Sequence, residues 1–379
     1  MNNFKWLALA GSVLMLSGAG FLLSPEQTSI SSLRFLGEYE VPFNKSFQST
    51  TIGGLSGVDY DPVDKIYYLI SDDRSQIHDA RFYTAKVYFN QKGIDSVRFM
   101  SVHTMLQQDG KSYPSSKQDA KNTPDPEAIR LNSATRQLVW SSEGERTLAN
   151  KKNILTDPMI TVMDLNGNHK EAFPIPSNLS MQEIEKGPRK NGVLEGLTFS
   201  SDFKTLFTCS EVPLHEDGPE ADIKENNAFV RLFQYDVVTK KNTAQYAYRL
   251  DPLPTRHIRT AFKINGIPDI LYLEQNKLLV VERSFSTGRL PCTVKVFIAD
   301  LGKADNIIKV ASLKETPPAN IAIKKLLLNM DDLGIYIDNV EGVTFGPDLP
   351  NGHRTLIFVT DNNFVPLEKT QFLLFEVIP

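Results

Sequence analysis

Acidic residues recur along the chain in one repeated sequence context, about 70 residues apart. Each copy begins with a few apolar residues and then has an acid and a short segment in which apolar and polar residues alternate. A turn, a second alternating segment and a second acid follow. Ser56 holds the first position in the first copy, and the later copies have Glu127, Glu195, Asp269 and Glu341. The second acids are Asp72 with Asp73, Glu143, Glu211, Glu282 and Asp361. Carboxylates gathered at one site must be protonated, be paired with cations or bind metal ions.

A metal site is the first interpretation of these acids. Carboxylate oxygens are hard ligands, and several of them together favour calcium or magnesium. We predict a calcium site formed by Asp72, Asp73, Glu127, Glu195, Glu211 and Glu341. The alternative is structural, because such acids also cap strands by accepting backbone N–H groups or pair with arginines. The arginines available for pairing are Arg74, Arg130, Arg146 and Arg283.

Cationic residues stand close to several of the acids in the sequence. We assign three of them to substrate binding, namely Arg74, Arg189 and Arg283. Together with a metal ion, they would form a site for a small anionic or phosphorylated substrate. A further cationic segment, residues 256–259, precedes the strand of Asp269. The alternative is that these residues are counter-ions for the acids.

Other catalytic chemistry finds little support in the sequence. Residues 53–57 resemble a nucleophile elbow, but they lack its Gly-x-Ser-x-Gly spacing and lead into a strand instead of a helix. The six histidines have no metal-ligand spacing, and the sequence has no Gly-x-x-x-x-Gly-Lys phosphate loop. The net charge of -4 on 379 residues argues against nucleic acid as a partner.

The elements that must position these residues are predicted to be strands. A repeat of about 70 residues with long loops is typical of a β-propeller blade. We predict an all-β propeller with five blades, or six if a long insertion hides weak strands. The first four units each have four predicted strands. In the fourth unit, the fourth strand is predicted at 306–313. The final unit has three, and a strand at 33–41 completes it and closes the ring.

Helices are predicted to be few and short, at 180–185 and 320–329. The polar loops 107–125 and 211–227 are expected to lie on one face. Since the first strand of each propeller blade lines the channel, the first acids of the repeat should converge there. We expect the second acids at the other end of the neighbouring antiparallel strands.

The N-terminus has the pattern of a secretory signal. Lys5 is followed by an apolar run, and small residues at positions 17 and 19 suit cleavage by a signal peptidase. Residues 1–23 are therefore predicted to be a signal peptide, 24–32 a linker, and 33–379 the folded domain. The alternative is an uncleaved membrane anchor over residues 6–23. Either way, the folded domain is expected in the periplasm or outside the cell.

Two cysteines, Cys209 and Cys292, are too few for a disulfide framework. A single disulfide between them is possible. A buried free thiol is the favoured interpretation of Cys209, because it lies inside a predicted strand.

The chain resembles the phytase-like propeller family, which is also called "esterase-like activity of phytase". The resemblance rests on segments 54–60, 70–74, 80–83, 125–129, 195–197, 279–284 and 341–343, with Ser71-Asp72-Asp73-Arg74 and Glu282-Arg283-Ser284 among them. It implies a secreted or periplasmic β-propeller that hydrolyses phosphomonoesters or esters. It also implies calcium bound by carboxylates and phosphate bound by Lys and Arg. No catalytic residue is transferred from the family to this chain.

Two functions follow from these observations. The first is a divalent-metal-assisted hydrolase of phosphate esters or esters outside the cytoplasm. The second is a non-catalytic propeller that binds a ligand or a protein partner on its loop face, because fold alone does not choose between them. The sequence indicates no particular protein partner, and it indicates membrane contact only through the N-terminal segment.

Overall fold

Five four-stranded antiparallel sheets are arranged as blades around a central channel. The computed structural model describes residues 30–149, 153–254, 262–287 and 291–379. The inner strands of successive blades contact one another in sequence order, and the last contacts the first. The chain is thus a five-bladed β-propeller, as the sequence predicts.

The strands follow the predicted order of four per blade. Strand β1 (Ser32–Val41) precedes a short hairpin of β2 (Ser46–Phe47) and β3 (Thr50–Thr51). Blade 1 consists of β4 (Leu55–Asp61), β5 (Ile66–Ser71), β6 (Arg81–Asn90) and β7 (Gly93–Thr104). Blade 2 consists of β8 (Pro126–Asn132), β9 (Gln137–Ser142), β12 (Met159–Met163) and β13 (His169–Phe173), with a hairpin of β10 (Glu145–Thr147) and β11 (Ile154–Thr156) inserted.

The remaining blades repeat this arrangement. Blade 3 consists of β14 (Leu197–Phe199), β15 (Thr205–Cys209), β16 (Phe229–Asp236) and β17 (Asn242–Arg249). Blade 4 consists of β18 (Lys263–Glu274), β19 (Lys277–Ser286), β20 (Thr293–Asp300) and β21 (Ile323–Asn329). Blade 5 consists of β22 (Asn339–Gly346), β23 (Thr355–Asp361), β24 (Thr370–Ile378) and β1. The described helices are a short α-helix, α1 (Ser116–Asp119), and two 3-10 turns, Ser177–Leu179 and Met330–Leu333.

The N-terminal strand closes the ring as predicted. β1 pairs antiparallel with β24 from Ser32 opposite Ile378 to Val41 opposite Thr370. This pairing makes β1 the outer strand of the last blade, so the two ends of the described chain belong to one sheet. Backbone groups along the edge of β24 thereby gain partners and offer no template for another chain.

The core lies between the blades, in five clusters that each join two neighbouring sheets. Strand β19 shows how the sequence produces this arrangement. Its Leu278 and Val280 pack toward blade 3, whereas the alternating Leu279 and Val281 pack toward blade 5. Both faces of the strand are buried, which explains its continuous apolar run. Each fully buried side chain of this kind contributes about 1.5–3 kcal/mol to folding.

The prediction for the outer part of blade 4 was wrong. Residues 320–329 were expected to form a helix, but Ile323–Asn329 is the outer strand β21 and pairs with β20. Three consecutive leucines favour a helix locally, and the open edge of β20 overrides that preference. Residues 306–313 were expected to supply this strand. Instead, Ile307 and Leu313 are buried against Ala247 of blade 3.

The predicted helix at 180–185 is also absent, and only the 3-10 turn Ser177–Leu179 precedes it. Other parts of blade 2 satisfy the backbone groups of this segment. Arg146 donates to the carbonyl oxygens of Gln182 and Ile184 at 3.0 and 3.1 Å. The N–H of Met181 donates to Asp157 at 2.7 Å. These side-chain contacts replace the hydrogen bonds of a helix.

Cys209 is buried in the cluster between blades 3 and 4, and its thiol lies 3.8 Å from the carbonyl oxygen of Ile267. Cys292 belongs to the cluster between blades 4 and 5. Cys209 is therefore a buried thiol, as favoured from the sequence.

No helix among the described residues is long and apolar enough to span a bilayer. The predicted signal peptide or anchor, residues 1–23, and the linker up to residue 29 lie outside the described residues. Both therefore stay predictions.

Candidate active site

The first and second acids of the repeat meet at the same end of the channel. The expectation that they lie at opposite ends was wrong, because an antiparallel partner returns to the start of the inner strand. Pro126 at the start of β8 pairs with Ser142 at the end of β9. Asn339 at the start of β22 pairs with Asp361 at the end of β23. The start of each inner strand and the end of its neighbour therefore lie at one entrance, where Glu127 meets Glu143 and Glu195 meets Glu211.

These acids line a cavity of about 840 Å³. Its carboxyl groups come from blades 1, 2, 3 and 5: Asp72, Asp125, Glu127, Glu143, Glu195, Glu211, Glu220, Asp338, Glu341 and Glu368. The cationic residues that line it are Lys190 and Arg283. The predicted polar loops 107–125 and 211–227 contribute Asp125, Glu211 and Glu220 to this face.

Two groups of three carboxylates lie close enough to share a metal ion. Oxygens of Asp125, Glu127 and Glu143 all lie within 4.8 Å of one another. Oxygens of Glu143, Glu195 and Glu211 also lie within 4.8 Å of one another. All five residues are buried, and Glu143 belongs to both groups. The site is therefore a continuous carboxylate cluster centred on Glu143.

Two of these carboxylates accept no hydrogen bond from the described residues. The side chains of Asp72 and Glu127 interact there with other charges only. Oδ2 of Asp361, which is buried beside Asp72, has no partner. Buried polar oxygens in folded proteins are normally satisfied. Oxygens without donors in a cluster of hard ligands suit a cation such as calcium.

Burial raises the pKa of the innermost carboxyl groups, and repulsion between neighbours adds to it. Burial and the nearby Asp125 and Glu211 raise the pKa of Glu143 to about 8. Burial and the nearby Asp361 raise the pKa of Glu341 to about 8. Burial and neighbouring carboxylates also raise the pKa well above its usual value in Asp72, Glu127, Glu195 and Asp361. At neutral pH, a bound cation would replace protons in this cluster.

Arg283, which was predicted to bind substrate, lies at one side of the cluster. Its Nη2 donates to Oε1 of Glu211 at 2.5 Å, and its Nη1 lies 3.5 Å from Oε1 of Glu341. Nη1 also donates to Asn339, whose amide donates to Glu341 at 2.7 Å. Arg283 therefore joins the acids of blades 3 and 5 and brings positive charge to the cavity wall.

Arg74 lies behind the cluster. Its Nη1 is 2.7 Å from Oε2 of Glu145 and 3.5 Å from Oδ2 of Asp125. Its Nε and Nη2 are buried without a hydrogen-bond partner in the described structure. Arg74 thus supports Asp125 from outside the cavity.

Two of the predicted site residues lie elsewhere. Asp73 accepts hydrogen bonds from the backbone N–H groups of Gln76 and His78 at 2.8 and 2.9 Å, and from Arg81 at 2.8 Å. Its neighbour Asp72 lines the cavity instead. In this position Asp73 stabilises the loop after β5.

Arg189, the second of these residues, donates to the carbonyl oxygens of Pro213 and Gly218, each at 3.0 Å. It thereby holds the loop 211–227. The adjacent Lys190 lines the cavity. The cationic segment 256–259 lies outside the described residues.

Asp269 stands one residue past the acid position of the repeat. In blade 1, Gly57 packs against Ala128, the residue after Glu127. In blade 3, the corresponding Gly196 packs against Asp269 itself. The carboxylate of Asp269 therefore lies deeper in the channel and does not line the cavity. Glu282 is likewise taken into a buried network, with hydrogen bonds from Tyr248 and Lys324.

Sequence reasoning left several charged cavity residues out of the predicted site, among them Asp125, Glu143 and Lys190. Asp125 directly precedes the recurrent Pro126-Glu127 step, and Glu143 ends its second strand as Glu211 does. Lys190 is next to the chosen Arg189. The repeat contained the signal for Glu143. The direction of each side chain separates Lys190 from Arg189, and local sequence does not show it.

The fold and cavity define a class of protein, a five-bladed β-propeller with a carboxylate-lined channel entrance. The family model "Phytase-like: Esterase-like activity of phytase" matches residues 50–364. The chain belongs to this family, as its motifs suggested. A comparison with curated proteins finds no match.

Solved propeller structures are similar only in outline. An endo-arabinase from Bacteroides thetaiotaomicron is 11% identical, with 86% of this chain and 95% of that chain covered and a TM-score of 0.43. An alpha-L-arabinofuranosidase from Lactobacillus brevis is 10% identical, with 85% and 91% covered and a TM-score of 0.45. At this level of similarity, they indicate nothing about the activity of this chain.

Proposed function

We propose that this protein is a divalent-metal-assisted hydrolase of phosphate esters or esters. The observation that carries the proposal is the pair of carboxylate groups that share Glu143. Asp125, Glu127 and Glu143 would hold one ion, and Glu143, Glu195 and Glu211 would form a second position. A bound calcium ion would neutralise substrate charge and activate water.

The donor set fits calcium. Its members are carboxylate oxygens, which are hard ligands, and Glu127 among them interacts only with other charges in the described structure. A purely structural set of acids would be paired with cations, as Asp73 is with Arg81. The two cations lining the cavity face ten carboxyl groups, so most of these groups have no cationic side chain to pair with and are available as ligands for a metal ion.

Residues of the chain would supply the other requirements of ester hydrolysis. Lys190 and Arg283 line the same cavity and would orient an anionic group of the substrate. Without metal, burial raises the pKa of Glu341 to about 8, so its carboxyl group can hold a proton at neutral pH. Cavity walls from all five blades would limit the access of bulk water.

The proposal places the enzyme in the periplasm or outside the cell. The support is the signal-like pattern of residues 1–23. An uncleaved segment over residues 6–23 would instead tether the propeller to the membrane.

Phosphate release by the purified protein tests the proposal, with phytate and an aryl phosphate as substrates. We expect release with added calcium and none after chelation. Glu143→Gln should lower kcat/KM at least about 100-fold, because one residue serves both carboxylate groups. Asp59→Asn is the matched control, since Asp59 is a half-buried acid hydrogen-bonded to Leu131 and Thr344 away from this cavity. Folded protein that releases no phosphate from either substrate would instead support a ligand-binding propeller.

A further inference from the structure

One side of the cavity entrance carries exposed apolar side chains. Phe262, Val365 and Leu367 are 66%, 39% and 72% exposed. All three line the same cavity as the carboxylates, together with the less exposed Ile264 and Phe285. The entrance is therefore apolar along blades 4 and 5, next to a strongly acidic interior.

The hairpin of blade 4 holds its part of this apolar rim in place. Ile264 of β18 pairs with Phe285 of β19. The N–H of Thr287 donates to the carbonyl oxygen of Phe262 at 2.9 Å. The rings of Phe262 and Phe285 lie 6.4 Å apart. Phe262 is thus fixed beside Phe285 while most of its surface faces water.

The loop between β23 and β24 holds the other part. The N–H of Val365 donates to the carbonyl oxygen of Asn362 at 2.7 Å, and the N–H of Glu368 donates to Val365 at 3.0 Å. The N–H of Lys369 donates to Asp338 at 2.7 Å. These bonds order the loop on both sides of Leu367. Its exposure is therefore built into the loop.

An apolar rim beside a polar cavity favours a ligand with two unlike parts. Apolar surface that water covers in the free protein becomes buried when an apolar ligand group lies on it. Ligand pockets typically combine apolar walls with a few polar groups that fix orientation. A small ester without an apolar group would leave this rim in water.

Resting on the proposed function, we propose that the substrate is an amphipathic phosphate monoester. Its phosphate enters the carboxylate-lined cavity beside Lys190 and Arg283, and its alkyl or aryl group lies on Phe262, Val365 and Leu367. In the reaction, a water oxygen bonds to phosphorus while the bond from phosphorus to the ester oxygen breaks. The leaving oxygen keeps the electron pair and takes a proton, so the products are phosphate and an apolar alcohol.

Two alkyl phosphates test this substrate class. Hexyl phosphate and glycerol 1-phosphate both release a primary alcohol, so their leaving groups are similar and their polarity differs. We expect kcat/KM with calcium to be at least about tenfold higher for hexyl phosphate. Phe262→Ser combined with Leu367→Ser should reduce that ratio to near one. Val238→Ser is the matched control, because Val238 is 80% exposed and does not line this cavity.

Equal kcat/KM for the two esters in the wild-type protein would overturn the inference, and so would a ratio that the double substitution leaves unchanged. If neither ester is hydrolysed, the proposed function fails and binding decides the inference. Calorimetry would then compare the affinity of the protein for hexyl phosphate with its affinity for inorganic phosphate. Tighter binding of hexyl phosphate that Phe262→Ser and Leu367→Ser abolish would support the apolar subsite. Equal binding of the two ligands would refute it.

Discussion

The guanidinium of Arg130 donates hydrogen bonds to both carboxylate oxygens of Asp269, at 2.9 and 2.7 Å, across the channel from blade 2 to blade 4. It also donates to the carbonyl oxygens of Val58 in blade 1 and Val343 in blade 5. Both charged side chains are buried. One arginine therefore ties four blades together at the floor beneath the acidic cavity.

Arg130→Met should destabilise the fold strongly. It leaves the Asp269 carboxylate buried without its cation, and breaking a buried pair in this way costs about 3–5 kcal/mol. Urea denaturation measures the loss. Adding Asp269→Leu should recover part of it, since no lone charge then remains. Lys111→Met, which removes an exposed pair with Asp109, should leave the denaturation midpoint unchanged. A double variant less stable than Arg130→Met would contradict this account.

Asp72 and Asp73 should respond differently to the same substitution. Asp73→Asn should lower stability by about 3 kcal/mol, because its carboxylate pairs with buried Arg81 and accepts three backbone N–H groups. Its calcium stoichiometry should stay that of the wild type. Asp72→Asn should weaken calcium binding instead, because Asp72 lines the carboxylate cavity. Thermal melting and calorimetry separate the two effects. Weaker calcium binding by Asp73→Asn alone would reverse the assignment.

Stability without metal should fall as pH rises. Burial raises the pKa of Glu143 and Glu341 from about 4.5 to about 8, so the folded state binds more protons than the unfolded state between these values. Raising the pH through this window therefore favours unfolding. Melting temperatures in chelator from pH 5 to pH 9 measure the trend. Added calcium should make the melting temperature fall less steeply with pH, and so should Glu143→Gln in the chelated protein. A chelated protein that melts higher at pH 8 than at pH 5 would refute this prediction.

Substitution of Arg283 should weaken phosphate binding, whereas substitution of Arg189 should not. Arg283→Met removes the cation beside Glu211 and Glu341, so phosphate affinity should fall at least about tenfold. Calcium affinity should hold or rise, because the cluster becomes more negative. Calorimetry with each ion measures both effects. Arg189→Met is the control, since Arg189 donates to the carbonyl oxygens of Pro213 and Gly218. Calcium and phosphate affinities that fall together would show that Arg283 mainly holds Glu211 in place.

Most of the fold could be predicted because strand signals are local. Strand β5 (Ile66–Ser71) and strand β9 (Gln137–Ser142) have the predicted bounds, since alternating side chains and flanking turns mark them in the sequence. β1 was also assigned to the last blade, because that unit lacked a strand. β21 was missed, because its leucine run favours a helix and only pairing with β20 makes it a strand.

The candidate site could be predicted in part. Five of the six predicted metal ligands line one cavity, because a repeated context places acids at equivalent points in successive blades. Their metal role stays a prediction. In two pairs of adjacent residues, side-chain direction decides which member lines the cavity. It is Asp72 and not Asp73, and Lys190 and not Arg189. Adjacent residues share nearly the same sequence context, so the pattern could not separate them.

By itself, the sequence determined the repeat, the propeller fold with five or six blades, the closing strand and the richness in carboxylates. Tertiary structure alone decided that first and second acids of the repeat, such as Glu127 and Glu143, meet at one entrance. It also moved Asp269 into the channel, where it pairs with Arg130, and placed an apolar rim beside the acids. The physical reason is that a blade forms from local alternation. A site, in contrast, depends on register and direction between strands that are distant in the chain.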